Sequence, residues 1–220
     1  MEQKNAFDQW MVFNREANKV DLQLLNYALL QLKRSYDTSL EAECKILFKP
    51  SDFSIESRKV SCDYVSVRRS IDSINTLISD IGLNFLQSCL YNDFEKNCEF
   101  YFTQDVSFFV ESRQNRLISS KRLQDSLYLR TLISIRLFNY LSKWRYEKKT
   151  AFIPIAELKY NLGLEEDSYM RFERFRSCII EKCLDEINHY THFKIAYGCK
   201  TGGVGGKVQA VRFHTLSKTL

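Results

Sequence analysis

YMRFERFRSCIIEKCLDEIN, residues 169–188, is the stretch on which the fold turns. Phe172, Phe175, Ile179, Cys183 and Ile187 recur at three- and four-residue intervals, the period of an amphipathic helix, and define its buried face. Arg171, Arg174, Ser177, Cys178 and Lys182 then point the other way, with Arg176 near the boundary. A charged outer face is ordinary on a surface helix, but the order of the charges here is not. Arg171, Arg174 and Arg176 crowd the first turns, whereas Glu181, Asp185 and Glu186 follow later. That is backwards for the helix macrodipole, and it costs roughly a few tenths of a kcal/mol unless an external anion meets the arginines. A recognition helix meets that anion on the DNA it enters. Its N-terminal residues enter the major groove, where arginine forks onto guanine and phosphates lie alongside.

Beyond this helix, Phe193–Tyr197 and Val208–His214 read as strands of a hairpin around the glycine-rich TGGVGGK, residues 201–207. This is not a nucleotide-binding P-loop, which would need glycine at Thr201 and a hydroxyl residue at Val208, and the segment joins two strands instead of opening a helix. A wing fits better, with Lys200 and Lys207 laying charge along a phosphate chain. After Glu186 no carboxylate side chain follows, while Lys194, Lys200, Lys207, Arg212 and Lys218 do. Between Arg113 and Lys149 ten cations face only Asp125 and Glu147, and a polyanion is the economical reason for that segregation.

Upstream, Leu132–Trp144 reads as an apolar-striped helix, Phe152–Ile155 as a short strand with Pro154 where an edge tolerates it, and Ile155–Gly163 as a short helix. The first half runs in the same order. Val20–Arg34 is a helix with apolar residues at 22, 25, 29 and 32, and Ile46–Phe53 is a short extended segment. Cys62–Phe85 is a helix with Val67, Ile71, Ile74, Ile78 and Ile81 on one face. Phe85–Ile118 reads as a meander or long hairpin built on Glu99–Phe102 and Val106–Glu111, with turns at Asn92–Asn97 and Thr103–Asp105. The expectation is an α+β chain, mostly helical, of two tandem winged-helix domains, each with a β-hairpin wing. They span residues 1–125 and 126–220.

The composition, 45% hydrophobic and 27% charged at net charge +5, is globular and only mildly basic. Seven cysteines lack CxxC spacing, so reduced thiols are expected. With no apolar leader and no membrane-length apolar run, a cytoplasmic location is expected. His189 and His192 stand three apart without an HUH triplet, and none of the twelve tyrosines stands out as a nucleophile. No metal, cofactor or enzymatic activity is therefore expected.

YMRFERFRSCIIEKCLDEIN, preceded by SIRLFNYLSKW and IPIAELKYNLGL and followed by VQAVRFHTL, resembles the C-terminal winged helix of the Rep_3 (RepA/RepB/RepE-type) plasmid replication initiators. That family has an RLYELL-like helix, a short LRxxLG helix, then Y-x-x-[FY]-x-x-F-[KR] running to EIN. The similarity spans about Ile133–Leu216, with Tyr169, Phe172, Phe175, Arg176, Glu186, Ile187 and Asn188 at motif positions. Lys182-Cys183 stands where the family often has Pro-Ala, and the N-terminal half matches in element order more than in residues. The resemblance implies two winged helices on origin repeats (iterons) in double-stranded DNA. It also implies host replication proteins as partners and a dimer formed through the N-terminal domain.

The expected DNA contacts are Arg171, Arg174, Ser177 and Cys178 at base edges or adjacent phosphates, and Lys182, Lys200 and Lys207 at phosphates. In the N-terminal domain the reading helix is expected at Tyr64–Ile78, with Ser66, Arg68, Arg69 and Ser73 outward. The competing readings are a winged-helix transcriptional regulator, a winged-helix protein-interaction scaffold and a nicking endonuclease.

Overall fold

A computed structural model describes residues 2–38, 44–57, 63–106, 119–144, 149–202 and 206–216. The chain divides into two compact units, Met1–Tyr128 and Leu129–Leu220. The expected break at 125/126 falls inside a helix, Ser120–Leu127, that packs on the helix Lys19–Thr38 of the first unit.

The first unit runs α1 (Glu2–Glu16), α2 (Lys19–Thr38), β1 (Lys45–Phe48), α3 (Pro50–Glu56), α4 (Tyr64–Ile81), β2 (Leu86–Asn92), β3 (Asn97–Phe102) and α5 (Ser120–Leu127). Helix α2 is its axis: Leu22, Leu24, Leu25, Ala28, Leu29 and Leu30 are all fully buried. Asn18 starts α2 by accepting from the Val20 and Asp21 N–H groups at 2.9 and 3.1 Å. Asp63 caps α4 in the same way, accepting from Ser66 N–H at 2.8 Å, and Gly82 closes it in the left-handed conformation at φ 69°. The three antiparallel strands lie in the order β1-β3-β2. Phe48 and Phe100 on the inner face stack with centroids 5.6 Å apart, and Tyr27 of α2 meets Phe48 edge-on at 4.8 Å.

The second unit runs α6 (Leu132–Tyr140, continued by a 3₁₀ turn, Leu141–Trp144), β4 (Ile153–Pro154), α7 (Ile155–Asn161), the long helix α8, β5 (Ile195–Gly202) and β6 (Lys207–Thr215). Helix α8 has three parts: Phe172–Phe175 is α-helical, Arg176–Ile180 is π-helical and Glu181–Tyr190 is α-helical. Its sheet has the order β4-β6-β5, the same pattern as in the first unit. Phe138, Leu158, Phe175, Ile187, Val211 and Phe213 form the core between helices and sheet, none more than 1% exposed.

The shared succession is helix, short strand, short helix, long helix, hairpin. Each unit is a winged helix with a hairpin wing, and the architecture is duplicated. The duplication is more complete than the residues suggested, because the segment read as extended holds a strand up to Phe48 and then the start of α3 at Pro50. Two further readings need correction. The first wing is Leu86–Asn92 paired with Asn97–Phe102, so its second strand ends where the expected long hairpin went on; Val106 lies in a 3₁₀ turn, and 107–118 lie outside the described residues. In the basic run, Arg122 and Arg136 are structural cations, only 6% and 8% exposed, and Arg136 Nη1 donates to the Leu162 carbonyl at 2.9 Å.

Candidate nucleic-acid interface

The reading helix begins three residues later than its sequence suggested. Tyr169 takes a left-handed conformation (φ 52°), which a helix interior does not admit, and Arg171 is the extended residue that precedes the first turn. Its carbonyl accepts from Arg174 and Phe175 N–H at 3.1 Å each. Arg171 thus projects from the cap, Met170 beside it is 86% exposed, and Glu173 shares the first turn with Arg174.

The π turn follows from the apolar stripe. Phe175, Ile179, Cys183 and Ile187 are spaced by four throughout, and all are buried. Three such steps overshoot three α turns by about 1.2 residues, which would carry Ile187 about 120° off the core face. A π turn, bonded i→i+5, holds about one residue more than an α turn and takes most of that rotation back.

The outer face has the expected content. Arg171, Arg174, Ser177 and Lys182 are exposed and Cys178 is half-buried. Neither Arg171, Arg174 nor Lys182 has an acidic partner among the described residues. Two of the later carboxylates on the helix are engaged internally. Glu186 accepts from Thr131 N–H at 3.0 Å, from the Thr131 and Ser134 hydroxyls at 2.8 and 3.0 Å, and from Arg130 N–H, so it caps α6 from outside. Glu181 is 3.4 Å from Arg176 Nε and accepts from the Tyr197 hydroxyl at 3.0 Å. The inverted charge order therefore has a structural cause on its acidic side, and among the described residues it leaves Arg171 and Arg174 uncompensated on the other.

The wing is tied to this helix at its root. Asn188 Nδ2 donates to the Ile195 carbonyl at 2.9 Å, and Ile195 N–H donates back to Asn188 Oδ1 at 2.7 Å. Lys200 and Lys207 are exposed near the ends of the two wing strands, with residues 203–205 between them outside the described residues. Lys200 lies 5.8 Å from the Phe152 ring centroid, and the Arg212 guanidinium covers the same ring at 4.2 Å. Neither Phe152 nor Arg212 is among the DNA contacts expected from the sequence. The register predicts their meeting, since Ile153 opposite Val211 puts the next pair outward at Phe152 and Arg212.

The N-terminal counterpart is differently composed. Arg69 is exposed and has no acidic partner among the described residues. Arg68 is paired at 3.4 Å with Asp93 in the turn of the first wing, and it donates to the Tyr64 hydroxyl at 2.8 Å. Ser66 is half-buried, and its hydroxyl donates back to the capping Asp63 at 2.9 Å. Ser73 does not face outward: its hydroxyl donates at 2.8 Å to Asp21, a fully buried carboxylate on α2. The i→i+3 step from Ser70, itself 4% exposed, carries Ser73 toward that helix.

Among the described residues no group of three or more histidine, cysteine or acidic side chains could hold a metal ion, and Cys44, Cys89, Cys98, Cys178, Cys183 and Cys199 are free thiols. No described helix is long and apolar enough to cross a membrane.

Residues 154–215 match the family model described as the WH2 domain of initiator Rep proteins. Among solved structures the chain is similar to the Pi initiator protein in complex with iteron DNA, at 19% identity and a TM-score of 0.56, with 88% of this chain and 95% of that one covered. Domains 2 and 3 of RctB align at 15% identity and a TM-score of 0.44, over 90% of this chain and 81% of that one. No curated protein matches the chain by sequence. At 19% identity the similarity to the Pi initiator is one of fold, while the match to the family model runs over the segment that holds α8 and the two wing strands.

Proposed function

We propose that the protein is a plasmid-type replication initiator that binds origin repeats (iterons) in double-stranded DNA through its winged helices. The observation that carries this reading is the set of uncompensated cations Arg171, Arg174 and Lys182 on the outer face of the reading helix, inside the segment matched by the initiator model. Ser177 and Cys178 lie between them as small groups able to approach base edges, and Lys200 and Lys207 supply phosphate contacts from the wing. The similar Pi initiator is described with iteron DNA, which supports the same ligand class here. Host replication proteins and a second copy of the chain, docked through the N-terminal unit, complete the proposal. The chain acts by binding, without cutting or joining DNA.

Selection of bound sites from random duplexes, followed by a search for those sites beside the gene, tests this. An array of direct repeats next to an AT-rich stretch is the expected result. A single operator-like site upstream of a promoter would make the protein a transcriptional regulator, and no selected site at low salt, where counterion release is most favourable, would leave a protein-interaction scaffold. Incubation with supercoiled plasmid and divalent metal should leave the plasmid uncut; nicking abolished by one tyrosine substitution would identify a nuclease.

A further inference from the structure

Arg176 sits inside the motif of the reading helix, but neither its position in the stripe nor the family pattern gives it a task. The π turn does. Residues five apart on a straight α-helix are separated by about 140° around the axis and do not meet. Arg176 and Glu181 are five apart, yet Arg176 Nε lies 3.4 Å from Glu181 Oε1 because Glu181 N–H bonds back to the Arg176 carbonyl across the π turn. The same carboxylate oxygen accepts from the hydroxyl of Tyr197 on β5, the first strand of the wing, at 3.0 Å. Burial and that hydrogen bond push the Tyr197 phenol up to about 12, so it stays a donor at any physiological pH.

The result is a chain from helix to wing, Arg176–Glu181–Tyr197, that occupies only the Nε side of the guanidinium. Its two terminal nitrogens form the fork that matches O6 and N7 of guanine, and among the described residues no second acidic partner holds that fork. A carboxylate beside an arginine offsets its general pull on phosphates, and a side chain biased toward one geometry loses less rotamer freedom on binding. Such a group contributes directional hydrogen bonding more than bulk charge.

We infer, building on the DNA-binding reading above, that Arg176 is a further specificity-determining residue that reads one base pair on the wing side of the helix, and that Glu181 and Tyr197 are its positioning residues. The π turn is the device that assembles the three.

The test uses the full chain with the duplex site obtained by selection and its single-base-pair variants. Binding is read by fluorescence anisotropy, with circular dichroism and melting as checks of folding. Arg176→Ala and Arg176→Lys should both lose discrimination at one base pair by about ten-fold or more, the lysine variant retaining charge and fold but not the fork. Glu181→Gln and Tyr197→Phe should erode discrimination at that same base pair and add nothing in the Arg176→Ala background. The sign for Glu181→Gln is decisive. If Glu181 is only a surface carboxylate, its removal tightens every duplex equally and leaves discrimination intact, which overturns the inference. So does full discrimination by Arg176→Lys. A wild-type chain that selects no site overturns the DNA-binding reading and this inference together, whereas one that selects a site with variants indistinguishable from it overturns this inference alone.

Discussion

Glu186 and Thr131 are joined twice: the Thr131 N–H donates to one carboxylate oxygen at 3.0 Å and its hydroxyl to the other at 2.8 Å. A residue of α8 thereby supplies acceptors to the residue that caps α6 and, at Arg130, to the N–H just before it. Glu186→Ala leaves those N–H groups without a protein partner and should cost about 1–3 kcal/mol, measured by urea unfolding. Glu186→Gln keeps an acceptor at each N–H position and should cost less. If both variants matched wild type, Glu186 would be a surface residue whose contacts water replaces.

Arg174→Ala should weaken binding to the selected site by about 1–3 kcal/mol and relax specificity at one position if the side chain reads guanine. Arg68→Ala on the N-terminal helix should cost distinctly less, because Asp93 already neutralises that guanidinium at 3.4 Å. Titrations with both variants on one duplex rank the two helices directly. Equal losses would show that DNA displaces Asp93 from Arg68.

Lys207→Ala should weaken all duplexes about equally and reduce the slope of log K against log salt by about one, as the loss of a single phosphate contact does. A selective loss on one sequence would instead make the wing a reader of bases.

How far the residues alone reached depends on which periodicity was intact. The tripeptide Glu186-Ile187-Asn188 stood out by resemblance, and the structure supplies its physics: a cap for α6, a core residue and a double hydrogen bond to the wing root at Ile195. The first strand of the N-terminal wing falls inside the expected meander before the turn at Asn92–Asn97, but a bulge between Leu86 and Ser88 breaks its period of two and hides its limits. The π turn lay in plain view as an unbroken four-residue spacing and was read as ordinary α-helix, since three- and four-residue steps are usually counted as equivalent. Arg122 and Arg136 are indistinguishable in the sequence from surface charge, because burial of a cation depends on acceptors remote along the chain, such as the Leu162 carbonyl. The outward expectation for Ser73 fails for the same reason, its partner Asp21 being 52 residues away.

That last contact gives a prediction with a definite sign. Asp21 is fully buried, one of its oxygens has no hydrogen-bond partner, and desolvation holds its carboxyl above the ordinary 3.8 in spite of donors from Ser73, Ser70 and Asn18. A carboxyl whose pKa is raised on folding binds its proton more tightly in the native state. Its contribution is full below the unfolded pKa and is lost as pH rises through the folded one. Asp21→Asn removes the ionisation, while its amide oxygen can still accept from Ser73. Urea unfolding of both proteins from below pH 3.8 to neutrality should show the variant gaining on wild type as pH rises, then holding a constant lead. Ser73→Ala, which takes away a donor that favours the carboxylate, should destabilise the chain near neutral pH and leave discrimination between duplexes untouched. A wild-type chain that instead gained on Asp21→Asn with rising pH would mean that the charged carboxylate is the form the fold prefers. Loss of duplex discrimination in Ser73→Ala would return that hydroxyl to the DNA-binding face.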